Sequence, residues 1–347
     1  MKIIFKKDNQ NLFFEKWQSF LDKNPISFRY NLSFLEFKTS FKNEIIDKSF
    51  IVIKNHECIG ICFLPIEKLN NGYSICLYND YTISPLFINS KVEKVIFEQI
   101  DIIAFKYRIK QIKFYLDPLI NHNNHNLLLK YKYIDSSSTT CLLNLEREKS
   151  TLWTSIRKHY KSMINKVLKD KKFEFIIMNK NNADYNLHEQ YRELHYICAG
   201  KVTRKKISFD KQFEMLKLGY ATLIALKYND ILIGMQYFHH FKEGVIYASG
   251  ADNPKYIENG FNIYHPILWK AQLYFKEQGF KLFEYSQPCG YNNVQGFNDY
   301  LDDKQINISY FKRGMGADVV PLYRGIRYYE KKMLLSDIEQ FNNKVNL

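Results

Sequence analysis

Two distant stretches of this chain carry the same hairpin signature: Lys54-Asn55-His56-Glu57-Cys58-Ile59-Gly60 and Tyr228-Asn229-Asp230-Ile231-Leu232-Ile233-Gly234. Each sets a polar tip between runs of apolar residues and places Ile-Gly a few residues on, which is the pattern of two strands joined by a tight turn. The periodicity around the two tips runs in the same order. In the first half, helix-like spacing over Asn11 to Leu21 and Leu32 to Phe41 precedes the hairpin Phe50 to Leu64. A strand from Gly72 to Tyr78, a long helix from Ser90 to Tyr107 and a strand from Ile112 to Leu116 follow. A polar loop over Asn121 to Asn126, a short helix and Thr139 to Leu145 then close that half. In the second half, a helical stretch from Leu152 to Leu168, a strand from Phe173 to Met178 and a helix through Tyr191 and His195 precede the hairpin Ala221 to Phe238. A strand from Val245 to Ser249, a helix from Pro266 to Lys276 and a strand from Lys281 to Tyr285 complete the repeat. The expected fold is therefore α/β (α+β), one unit of mixed sheets flanked by helices built twice. Its expected domains are 1–150 and 151–347, joined at Glu146 to Ser150.

A chain of 347 residues, 46% hydrophobic, can bury a core in each unit and is not a disordered polypeptide. The formal charge of +14 favours an anionic partner such as RNA, a nucleotide-linked substrate or a membrane surface, although a Lys-rich composition alone gives the same excess. Six scattered cysteines form no CxxC pair, and His56 completes no zinc pattern with Cys58 and Cys62, so reduced, buried thiols and no metal are expected. No apolar run reaches the length of a signal peptide or membrane span, which suits a soluble cytoplasmic protein.

Chemistry concentrates near the C-terminus. Alternation over Ile306, Ile308 and Tyr310 predicts a strand ending in Phe311-Lys312-Arg313-Gly314-Met315-Gly316. Two cations beside a glycine turn can meet negative charge in a substrate or a transition state, or can simply face solvent. Adjacent His239 and His240 on a strand point to opposite faces and cannot easily share a ligand, so with Glu243 they read as structural. The run Arg157 to Lys172 has seven Lys or Arg against one Asp. On a helix it sets Lys158, Lys161, Asn165 and Lys169 on one face, with Ile164, Val167 and Leu168 on another. A stripe that includes Arg157, Lys158, Lys161 and Lys169 can follow a phosphate backbone or be a solvated face.

The strand-to-helix unit resembles the acetyltransferase fold of the GNAT superfamily, and its duplication resembles the FemABX group of aminoacyl and acyl transferases. The strings that carry this resemblance are Val202-Thr203-Arg204, Ile233-Gly234, Tyr247-Ala248-Ser249-Gly250-Ala251 and His265-Pro266-Ile267-Leu268-Trp269. Gly279 to Glu284 and Phe311-Lys312-Arg313-Gly314 complete the set. They match in order across roughly residues 150 to 320, while the first half matches in architecture alone. The resemblance implies transfer of an aminoacyl group from aminoacyl-tRNA to an amine of a peptidoglycan or surface-glycan precursor, with no cofactor. The alternative is an acyl-CoA-dependent N-acyltransferase acting on a nucleotide-linked amino sugar or another envelope precursor. A non-catalytic RNA-binding scaffold of the same fold is a third reading. The resemblance gives Lys312 a functional place, read as catalytic through contact with the oxyanion of the tetrahedral intermediate; phosphate binding with no chemical role and a solvated strand end are the alternatives. It makes Tyr247 and Arg204 substrate contacts, with Tyr78, Phe311 and Arg313 beside them, and Asp80 the acid that holds the incoming amine or takes its proton. The sequence departs from CoA-binding members at Lys255 to Asn262, which has one glycine, Gly260, where those members have a phosphate cradle. It also lacks the heptads of the coiled-coil arm that some members carry.

Overall fold

The computed structural model describes residues 1–41, 44–70, 72–120 and 125–345, so residues 121–124 of the expected polar loop lie outside it. The first half runs β1 (Lys2–Phe5), α1 (Gln10–Lys23), α2 (Leu32–Thr39), β2 (Ile45–Asp47), β3 (Phe50–Lys54), β4 (Glu57–Cys62), β5 (Pro65–Leu69) and β6 (Gly72–Ile75). It continues with β7 (Thr82–Ile83), β8 (Leu86–Phe87), α3 (Ser90–Lys106), β9 (Ile109–Tyr115), β10 (Ile134–Asp135) and β11 (Ser138–Asn144). The second half has α4 (Lys149–Ser155), α5 (Lys158–Lys169), β12 (Phe173–Met178), α6 (Tyr185–Ala199), α7 (Lys206–Lys217), β13 (Ala221–Tyr228), β14 (Ile231–Phe241) and β15 (Gly244–Asp252). After it come α8 (Pro254–Glu258), α9 (Tyr264–Glu277), β16 (Leu282–Glu284), β17 (Val294–Gly296), β18 (Asp299–Tyr300), α10 (Asp303–Arg313), β19 (Asp318–Leu322), β20 (Arg324–Tyr328) and α11 (Lys331–Val345).

Local chemistry explains the helices that the periodicity predicts. Asn9 caps α1 by accepting from the Leu12 amide at 3.1 Å, and Phe13, Trp17, Phe20 and Leu21 recur at helical spacing on its buried face. The expected helix over 152–168 is two helices, broken at Ile156-Arg157. The stretch before Lys312 is a helix, not the expected strand. Asp302 accepts from the Gln305 amide at 2.7 Å while the Gln305 side chain accepts from the Asp302 amide at 2.9 Å, a reciprocal cap that nucleates α10. Ser309 and Lys312, three residues apart, then share its buried side.

Among the described residues, two large mixed sheets form the scaffold. One is ordered β10-β20-β9-β6-β5-β2 with β7 also on β9, and the other β12-β13-β14-β15-β16-β11-β19. A smaller sheet β1-β3-β4-β8 completes the first unit. The sheets do not divide at residue 150: β11 lies between β16 and β19 in the second unit, and β20 returns between β10 and β9 in the first. Alternation in the sequence tells a strand which faces it has, but not which edge it pairs with. The second sheet is covered on one side by α5 and α9 over Leu226, Phe238 and Phe283, and on the other by α6 and α7 over Leu223, Met235 and Tyr237. Helix α3 closes the first unit over Ile66, Ile112 and Phe114. Among the described residues no helix is long and apolar enough to cross a membrane. The cysteines are free thiols, with Cys62, Cys76, Cys141 and Cys289 buried as expected and Cys198 exposed.

Candidate functional site

A cleft of about 570 Å³ opens between the two units. The first unit contributes Arg29 from the short 3₁₀ turn Phe28–Tyr30, Lys38 from α2, and Asp80 from the turn after β6. The second contributes Arg204 from the α6–α7 connection, Tyr247 and Ser249 from β15, and Glu284, Ser286 and Gln287 from β16 and the loop beyond it.

The floor is a buried charge cluster that ties the units together. Arg29 donates to Asp117 at 2.9 Å and to Glu284, across the boundary between units, at 2.6 Å. Thr140 donates to the other Glu284 oxygen at 3.0 Å. Burial opposes the Arg29 charge, but Glu284 and Asp117 outweigh it and keep the guanidinium a firm cation. Burial raises the Glu284 carboxyl, and Arg29 opposes that rise.

Two other cations, Lys38 and Arg204, line the cleft. Lys38 and Arg204 make no ion pair among the described residues. Burial lowers both pKa values, with Asp80 partly offsetting the effect at Lys38. Arg204 is held by Gln212 at 2.6 Å and lies 3.8 Å over the Phe209 ring, so its planar fork is fixed before any ligand arrives.

Lys312 lies beneath this cleft. Strands β15 and β16 run parallel only over Gly244 to Ile246 and Leu282 to Glu284, and then diverge. Tyr247 is the first residue of β15 beyond the pairing, and the Lys312 ammonium lies 6.0 Å from its ring. The Lys312 Nζ donates to the carbonyls of Gln287 at 2.7 Å and Ser286 at 3.2 Å. Two of its three N–H groups are thereby spent and one is left for a ligand. At 4% exposed, the ammonium is pushed down to about 8, mainly by burial.

The remaining predicted residues divide clearly. Asp80 is exposed at the cleft rim, its carboxylate accepting from the Tyr81 amide at 2.8 Å. Tyr78 does not line the cleft, because its hydroxyl is bonded to the Lys38 carbonyl and its ring stacks on Phe41. Phe311 packs under the β15/β16 gap against His265 and Tyr264, and Arg313 lies 4.1 Å over the Tyr291 ring with its guanidinium on the Gly290 carbonyl. In α5, Tyr160, Ile164 and Val167 face inward while Leu168, expected inside, is 49% exposed. Lys158 and Lys169 are exposed; Lys161 donates to the Thr154 carbonyl at 3.3 Å, and Arg157 to the Tyr310 carbonyl at 2.6 Å. Arg157 is thus committed to joining α5 and α10. His239 and His240 do take opposite faces, the first against Gln212 and the second against Thr222.

Sequence reasoning missed Arg29, Lys38, Glu284 and Arg324 in the cleft lining. Phe28-Arg29-Tyr30 offered one signal, a lone charge between aromatics. Phe283-Glu284-Tyr285 offered the same signal, and Glu284 also ends one of the strings that carry the resemblance, whereas Lys38 and Arg324 have no such pair of aromatic neighbours.

No protein-family model and no curated protein matches the sequence. Solved structures do match in fold. A structure of FemX is 13% identical over 84% of this chain and 90% of that one, with a TM-score of 0.61. The structure of L-PGS from Bacillus licheniformis is 13% identical over 93% of this chain and 94% of its own, with a TM-score of 0.60. A tandem GNAT protein from the clavulanic acid biosynthesis pathway is 9% identical over 94% and 98%, with a TM-score of 0.54. The chain therefore has the duplicated, FemABX-like GNAT fold that its sequence suggested.

Proposed function

We propose that this protein is an aminoacyltransferase that moves an aminoacyl group from aminoacyl-tRNA to an amine of an anionic cell-envelope precursor, of the peptidoglycan or surface-glycan class. The observation that carries this reading is the pairing of Lys312, buried where β15 and β16 part, with a cleft whose Lys38 and Arg204 make no ion pair among the described residues. Half-buried cations without an ion-pair partner favour a ligand that brings negative charge, such as a pyrophosphate or a carboxylate. The acceptor therefore lies in the cleft, and the donor approaches from the side of α5, α9 and α10. The acceptor nitrogen attacks the ester carbonyl, a C–N bond forms, and the C–O bond to the ribose breaks. The neutral amine loses one proton and the ribose oxygen gains one, so the transfer is proton-neutral. The free N–H of Lys312 meets the oxyanion of the tetrahedral intermediate, and Asp80 at the rim takes the amine proton.

A tRNA donor is favoured over CoA by the connection between β15 and α9. The short helix α8 and a single glycine turn at Gly260 occupy it, with no run of glycine amides for a pyrophosphate. Exposed Lys158 and Lys169 on α5 suit a phosphate backbone, and an aminoacyl-tRNA donor implies a cytoplasmic reaction. The test is a donor assay with labelled aminoacyl-tRNA and labelled acetyl-CoA side by side, using envelope precursors as acceptors. Label should pass from tRNA only, and calorimetry should find no tight CoA binding. Transfer from acetyl-CoA with low-micromolar CoA binding would overturn the tRNA reading.

A further inference from the structure

The face of β14 and β15 that turns toward α9 holds a buried polar spot that the transfer chemistry leaves unused. Gln236 is 0% and Asp252 3% exposed. Yet neither amide atom of Gln236 and neither carboxyl oxygen of Asp252 has a hydrogen-bond partner among the described residues. Buried polar groups are nearly always satisfied, and four unsatisfied atoms in one spot mean a desolvation cost that a ligand would recover.

The register brings these side chains together. Gln236 pairs with Gly250 and Gly234 with Asp252, so the two polar residues are diagonal neighbours on one face. A Cβ added at Gly234 would lie 3.3 Å from the Asp252 Oδ1, and one at Gly250 would lie 3.1 Å from the Gln236 Cγ and 2.7 Å from the Tyr247 hydroxyl. The spot is thus continuous with Tyr247, and through it with Lys312, on the donor side of the β15/β16 gap. The first turn of α9 walls it off, with Ile263 and Ile267 over Gly234 and Tyr264 over Gly250. Burial holds the Asp252 carboxyl up at about 8, since no protein cation compensates it.

A carboxyl and a carboxamide buried side by side without partners offer several acceptor oxygens to a compact N–H donor and suit an ammonium. We propose that Gln236 and Asp252 form the specificity pocket for the α-ammonium of the donor acyl group, next to the carbonyl that Lys312 serves. Binding of the ammonium ionises Asp252, and the released proton goes to solvent. The inference rests on the transferase reading above, but it concerns the acyl group and not the carrier, so the two can fail separately.

The experiment uses the full chain and two matched donor pairs: aminoacyl-tRNA with its α-hydroxyacyl counterpart, and glycyl-CoA with acetyl-CoA. The wild type should prefer the amino member on the carrier it uses, by about 10²-fold in kcat/KM. Asp252→Asn replaces a neutral carboxyl with a neutral amide of the same shape, and Gln236→Met keeps the length of the side chain. Both should stay folded by circular dichroism, cut the preference to a few-fold, and leave the rate on the desamino donor unchanged. A preference confined to the CoA pair supports the pocket while overturning the tRNA carrier. Equal use of both members by the wild type, or a preference that survives both substitutions, overturns the pocket. No transfer from any of the four donors overturns both proposals.

Discussion

The two units are built alike up to the point where two parallel strands diverge, and there they part company. In the first unit β6 and β9 run parallel over Tyr73 to Ile75, and the chain then turns at Tyr78 and Asn79, both at positive φ. It comes back as β7, whose Thr82 and Ile83 pair with Phe114 and Tyr115 of the same β9. The gap that opens beside β9 is thus filled by the unit's own chain. In the second unit β15 continues past the end of β16 with no strand inserted among the described residues, and Tyr247 and Lys312 lie where the gap begins. The strand before it differs as well: β14 is continuous, while its counterpart is split into β4 and β5 around Phe63-Leu64 with Pro65 at the restart. One copy closes its gap and carries Lys38 and Asp80 to the cleft, and the other leaves its gap open as a slot beside Tyr247 and Lys312.

The two units are joined through Arg29. Arg29→Met should leave Asp117 and Glu284 buried without a cation, costing about 3–5 kcal/mol of folding stability. Urea unfolding followed by two probes should show the units separating into two transitions. A single transition near the wild-type midpoint would mean that the units are held together elsewhere. Closing the slot is the next largest change. Gly250→Val would drive a side chain into the Tyr247 hydroxyl and Tyr264, and transfer should fall about 10²-fold while the fold persists. Near-normal turnover would show that donor does not use the slot.

Smaller effects separate the cleft from the slot. Lys38→Met and Arg204→Met should each raise KM for an anionic acceptor about tenfold with kcat nearly kept, the pattern expected when uniform binding is removed. A drop in kcat at constant KM would move them into the chemical step. The least change is expected on α5. Neutral replacements of exposed Lys158 and Lys169 should weaken tRNA binding a few-fold and flatten its salt dependence, by about 0.7–0.9 in slope for each phosphate no longer neutralised. An unchanged slope would leave those lysines to solvent.

The sequence made the repeated hairpins legible because a two-residue polar tip between apolar runs has few other solutions. It also made Lys312 conspicuous, through the glycines after it. The helix that carries Lys312 was legible too, in Asp302 and Gln305 at capping-box spacing, but the alternation of Ile306, Ile308 and Tyr310 hid it. The exchange of β11 and β20 between units left no local mark, since pairing partners are chosen in three dimensions. Lys38, Gln236 and Asp252 were invisible for a related reason. Their importance lies in what surrounds them once buried, and a polar residue in an ordinary strand or helix does not announce the loss of its partners.

If the open slot of the second unit works through the charge on Lys312, the loss should be plainest for Lys312→Met in single-turnover transfer at saturating donor and acceptor. The ammonium's folded pKa, about 8, is below its unfolded value, so burying the charge costs stability at neutral pH, and stability rises from about pH 8 toward the ordinary lysine value. The methionine variant should therefore fold at least as well as the wild type at neutral pH. Its chemical step should be slower by about 10²–10³-fold. The wild-type rate should also fall above about pH 8 as the ammonium is lost, a limb missing from the residual rate of the variant. An unchanged single-turnover rate with only weaker donor or acceptor binding would make Lys312 an anchor for phosphate and contradict the account.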